Sequence, residues 1–202
     1  MSQFIPQLLI TLCALTMATD PRCAKAEESP VKVECHGQLR TGIVAIGGET
    51  TGTTITFDRI TWELKLPDED SRMLAMEHNK KPVTVTGKLR RVKGQAISVR
   101  WILDVEKLSV RDASLLKEGA NLTVAGTLKA AGDSAGFEIA AGNMVWPLDL
   151  SADSDIKDRA ESLAGKSVVL RGRLERDPKA EISAKRTILH VKKLESADDV
   201  QK

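Results

Sequence analysis

With 30 basic and 28 acidic side chains among 202 residues, the chain has a formal charge of +2, which excludes the strong overall basic excess of a phosphate-backbone binder. Aromatic residues are 3% of the total and tyrosine is absent, so broad base-stacking surfaces are excluded too. Three cysteines and three histidines, all dispersed, give neither the spacing of a structural zinc site nor a disulfide framework.

Phe4 to Ala18 is an apolar run, shorter than the roughly 20 residues a spanning helix needs. Ala24-Lys25-Ala26 follows it as an A-x-A pattern, so residues 1–26 read as a secretory signal peptide cut after Ala26. The mature protein is then expected to be secreted or periplasmic, with no membrane span. Cys35 is left as its one thiol.

From residue 31 onward apolar and polar residues alternate with period two, the mark of half-buried strands. Strands are expected near 31–40, 53–58, 60–66, 82–91 and 97–109. Cys35 and His36 are strand neighbours that point to opposite faces, so they cannot easily share one metal ion. Cys35 is expected to be a buried thiol. Gly48-Glu49-Thr50-Thr51-Gly52 reads as a turn between the first two strands, with glycine supplying positive φ and the acid and hydroxyls bonding locally. Ile60, Trp62, Leu64 and Leu66 share one face of the third strand. Asp68 to Asn79 is expected to be helical, with Asp68 as N-cap and acids in the first turn. Val83, Val85, Gly87 and Leu89 face the core from the fourth strand, with Gly87 letting a coiled strand bend. A joint at 111–119 follows.

The chain then repeats itself. Val145-Trp146-Pro147-Leu148-Asp149-Leu150 echoes Thr61-Trp62-Glu63-Leu64-Lys65-Leu66, Lys166 to Leu174 echoes Lys81 to Leu89, and Arg186 to Leu194 echoes Arg100 to Leu108. A period of 84 to 89 residues suits two copies of a small domain, 31–110 and 120–195. Strands of the second copy are expected near 121–130, 136–140, 144–150, 167–175 and 184–194. A helix is expected within 151–164, N-capped by Ser151 and stopped at Gly165. Gly132-Asp133-Ser134-Ala135-Gly136 matches the G-x-S-x-G of hydrolase elbows, but an elbow needs a helix leaving the turn. Here a strand leaves, and Gly48 to Gly52 holds the same place in the first copy, so the motif reads as a hairpin turn. Residues 196–202 are expected to be a disordered tail.

Strand-strand-strand-helix-strand-strand in about 80 residues, twice over, resembles the OB-fold, a five-stranded Greek-key barrel with its helix between strands three and four. V-x-V-x-G-x-L after each helix looks most like small exported bacterial OB-fold domains. The resulting fold class is mainly β, two tandem OB-like barrels. The resemblance implies a compartment and a fold, and no site.

The functional reading is a non-enzymatic exported binding module without a cofactor or metal. Its expected partner is a small anion, a glycan or another protein, and the sequence leaves the oligomeric state open. Turns after strands one and four flank the usual OB cleft, which singles out Glu49, Thr50, Arg90, Arg91 and Lys93 as a candidate rim. Their counterparts near Glu175-Arg176-Asp177 are neutralised by acids. Nucleic acid is disfavoured as a partner because Trp62 and Trp146 point inward and no stacking platform appears. Single-stranded nucleic-acid binding is the alternative. Trp101, whose counterpart is Thr187, shares parity with Leu103 and Val105. Arg100 and Arg186 are expected to pair with nearby acids, and His190, standing where the first copy has Asp104, is expected to form a surface pair.

Overall fold

The computed structural model describes residues 29–44, 49–94, 99–110, 117–131, 136–176 and 187–200. The expected signal peptide, Ser134 and Arg186 lie outside these residues. The chain is mainly β. The first copy comprises β1 (Val31–Thr41), β2 (Thr53–Phe57), β3 (Ile60–Lys65), α1 (Glu69–Glu77), β4 (Pro82–Val92) and β5 (Arg100–Val110). β1 pairs antiparallel with both β2 and β4, β2 with β3, and β4 with β5, while β3 and β5 run parallel. These pairings close a five-stranded barrel with the connectivity expected of the OB-fold.

Alternation explains the closure. Trp62, Leu64, Val83, Val85, Leu89 and Leu103 are all nearly fully buried on the inner face, where burial removes each side chain from water at about 2 kcal/mol apiece. The Phe57 and Trp62 rings meet edge to face at 4.8 Å, a favoured aromatic geometry. Gly87 sits where β4 changes register against β5. A Cβ there would lie 2.2 Å from the Asp104 carbonyl oxygen, and at Gly172 one would lie 2.5 Å from that of His190. Both glycines are thus required for the close backbone approach that lets the sheet coil.

The remaining strands are β6 (Gly119–Ala130), β7 (Phe137–Ala141), β8 (Met144–Asp149), β9 (Ser167–Arg176) and β10 (Thr187–Ser196), with α2 (Ser154–Leu163) between β8 and β9. Their pairings repeat the order of the first five. Trp146 is buried like Trp62. Two expectations fail locally. The N-cap of α2 is Asp153, which accepts from Asp155 N; Ser151 is held instead in a turn by Asp149 Oδ1 at 2.9 Å. The tail does not begin at 196: β10 runs through Ser196 and Ala197–Val200 form a helical turn, α3. Among the described residues no helix is long and apolar enough to cross a membrane.

The two copies are not free neighbours on a linker. β1 and β6 pair antiparallel, Val31 with Val124, Val33 with Leu122 and Cys35 with Ala120, so all ten strands belong to one sheet. In the repeat, Val31 corresponds to Ala120, Val33 to Leu122 and Cys35 to Val124. The seam is therefore self-complementary about Val33 and Leu122, the signature of an isologous contact. All six side chains are buried.

Candidate functional site

The rim residues separate into two groups. Thr50 Oγ1 accepts from Gly52 N at 3.1 Å, a local turn contact of the kind expected. The next residue, Thr51, donates its N–H to Glu63 at 2.9 Å. Glu63 also takes two hydrogen bonds from Arg100, at 2.7 and 2.6 Å, and Glu49 adds to the negative field at Arg100. The Arg100 hydrogen bond holds the Glu63 carboxyl below its ordinary range against the opposing effect of burial. Arg100 thus has the acid partner expected of it, and this end of the site is an internal clasp.

Arg90 and Arg91, neighbours on β4, diverge. Arg90 Nε meets Asp104 at 2.7 Å on the outer face. Arg91 reaches the second copy instead, donating to the Asn143 carbonyl while Asn143 Nδ2 donates back to the Arg91 carbonyl, both at 3.0 Å. The corresponding contact of the other half is Arg176 N donating to Asp58 at 3.3 Å. Arg176 is the counterpart of Arg91, so each copy's second hairpin turn touches the end of the other's fourth strand. Trp101 belongs to the same contact. Its ring lies 5.8 Å from that of Trp146, so it packs against the second copy; the matching position holds Thr187. Lys93 is exposed.

These contacts border a groove of about 1220 Å³ between the copies. One wall carries Lys65, Lys88, Arg90, Arg91 and Asp104; the other is made of small residues, among them Ala125, Gly126, Ala140 and Gly142. Register places Lys65, Asp104 and Lys88 in one row across β3, β5 and β4, with Arg90 one step along. Four cations and one carboxylate line this wall; Arg90 is paired with Asp104, and Lys88 lies 3.8 Å from Glu106. Sequence reasoning chose Arg90 and Arg91 but missed Lys65 and Lys88, which lie on separate strands and meet only through register.

The second copy changes this row. Asp149, His190 and Arg173 occupy the places of Lys65, Asp104 and Lys88, and Glu175 that of Arg90. His190 bridges Asp149 at 2.7 Å and Glu175 at 3.5 Å, and Arg173 meets Glu175 at 3.1 Å. Hydrogen bonding from Ser151, with His190 adding, lowers the Asp149 carboxyl. His190 thus forms a surface pair, as read from sequence. Neither outer face of the second and third strands offers an aromatic: Thr54, Thr56, Thr61 and Glu63 stand on one, Glu138, Ala140, Val145 and Pro147 on the other. Cys35 is fully buried and burial pushes its thiol well up. His36 lies elsewhere, bonded to Thr84 at 2.8 Å.

No protein-family model matches the sequence, and no curated protein matches it. Among solved structures, the fold is similar to a deletion mutant of the single-stranded DNA binding protein from Thermus aquaticus. The identity is 14% and the TM-score 0.50, over 84% of this chain and 95% of that one. The wild-type form of that protein gives 13% identity and a TM-score of 0.48, over 84% and 93%. The first of these likenesses shows a shared fold, the OB barrel. It overturns the expectation of a module for an anion, glycan or protein with nucleic acid disfavoured, since a protein sharing this fold over most of the chain is a single-stranded DNA binding protein. The failed expectation rested on the absence of a stacking platform and on the lack of an overall basic excess, and the groove gathers cations that the overall charge conceals.

Proposed function

We propose that this protein binds single-stranded nucleic acid without catalysing a reaction, using two tandem OB barrels joined at the β1–β6 seam. One observation carries the reading: an OB barrel shared with a single-stranded DNA binding protein presents, in the groove between the copies, Lys65, Lys88, Arg90 and Arg91 against small residues that leave room for a backbone. With no aromatic on the outer faces of the second and third strands, phosphate contacts carry the affinity, and sequence selectivity is low. In this reading Lys93 extends the cationic path and Glu49 and Thr50 bound it.

Fluorescence anisotropy of a labelled oligothymidylate tests it. Three phosphate contacts would give a slope of log K against log salt of about −2. Lys93→Glu is expected to weaken binding several-fold. Lack of binding at low salt, or equal affinity for duplex and single strand, would refute the reading. Export with cleavage after Ala26 is a separate proposal. It predicts that N-terminal sequencing of the natural protein starts at Glu27.

A further inference from the structure

We propose that the chain takes one strand, not two: the groove walled by the first copy's basic row is the binding site, and the equivalent place on the second copy is closed to nucleic acid by its charges. The proposal rests on the single-strand reading and specifies its site and stoichiometry.

The self-complementary β1–β6 pairing makes every surface of one copy equivalent to a surface of the other. Two equal copies would present two equal sites. Among the positions that differ are the charged ones facing the groove. Lys65 and Arg90 flank Asp104 along β3, β5 and β4; at the same positions the carboxylates of Asp149 and Glu175 flank His190. Lys88 and Arg173 are basic in both. The opposite walls differ in the same direction. The first copy's row faces Ala125, Gly126 and uncharged Gly142. The place of Gly142 is taken on the other side by Asp58, whose carboxylate already holds Arg176 N. The side chain of Lys65 is exposed, and no hydrogen bond or ion pair engages it among the described residues. In the second copy Arg173 is spent on Glu175 and on the Glu118 carbonyl, and His190 lies between two carboxylates. A phosphate entering there meets Asp149, Glu175 and Asp58, and like charges at such a contact oppose binding.

Exchange of the three positions tests this. An oligothymidylate of about 15 nucleotides, within the range one OB barrel covers, is titrated at low salt and the stoichiometry read by anisotropy and sedimentation. The wild type is expected to bind one per chain. Lys65→Asp with Arg90→Glu and Asp104→His, giving the first copy the second's residues, should weaken binding at least tenfold. Asp149→Lys with Glu175→Arg and His190→Asp should create a second site. Lys65→Glu alone, at an exposed position, guards against misfolding of the triple variant and should still weaken binding several-fold. Two equal sites on the wild type, or full affinity in a folded Lys65→Asp, Arg90→Glu, Asp104→His chain, would overturn the asymmetry while leaving single-strand binding intact. A wild type that binds no oligonucleotide removes both.

Discussion

Lys80 holds a left-handed backbone at φ +64, and its N–H bonds the Leu39 carbonyl at 2.8 Å. Gly165 does the same work in the second copy at φ +80, its N–H on the Leu128 carbonyl. A side chain in that conformation costs about 1 kcal/mol, so Lys80→Gly is expected to raise the melting temperature by a few degrees, less whatever the freer unfolded chain takes back. Glu63 and Arg100 are 16% and 14% exposed. Glu63→Gln removes the counter-charge of Arg100 and one of its two acceptor oxygens, and should destabilise by about 2 kcal/mol in urea at neutral pH. The sign with pH follows from the lowered Glu63 carboxyl. Its contribution is present above the ordinary carboxylate range and fades as acid protonates it in the fold. The difference between wild type and Glu63→Gln should therefore shrink towards pH 3. Cys35, buried with its thiol pushed up, should react with Ellman's reagent only at the rate of unfolding.

Strand pairing governs what the elements do. β1 from Lys32 to His36 is bonded on one side to β4 and on the other to β6, and Ala120 to Val124 of β6 lie between β1 and β9. With neighbours on both edges, these segments should hold the slowest-exchanging amides of the chain, opening only with global unfolding. Rapid exchange there would mean that the copies separate readily. At the register shift in β4, Gly87→Ala places a methyl against the Asp104 carbonyl at 2.2 Å. Backbone must move to relieve it, and a loss of about 2 kcal/mol or more is expected in thermal melts.

For the molecule as a whole, strands and helices were legible because the barrel buries one face of every strand, so the period-two pattern at Ile60 to Leu66 or Val83 to Leu89 had one reading. The repeat supplied independent checks, and Trp62 and Trp146 pointed inward as read. The seam was not legible. Val31, Val33 and Cys35 look like ordinary inward residues, and nothing in their chemistry says that β1 also lends a backbone edge to β6. The α2 cap was misread because Asp149, two residues upstream, claims Ser151 first. The groove was half legible: Arg90 against Glu175 stood out in the aligned copies, whereas Lys65 and Lys88 become neighbours of Asp104 only through β3–β5 and β4–β5 register. Subtracting one copy from the other, position by position, would have found both charge reversals, Lys65 to Asp149 and Arg90 to Glu175.

Because the self-complementary ladder lies within a single polypeptide, its two sides meet at an effective concentration fixed by the tether and do not fall apart on dilution. Identical subunits must change together when either gene position changes. Here Lys65 and Asp149 differ at one repeat position, a difference that two copies of a single chain could not carry.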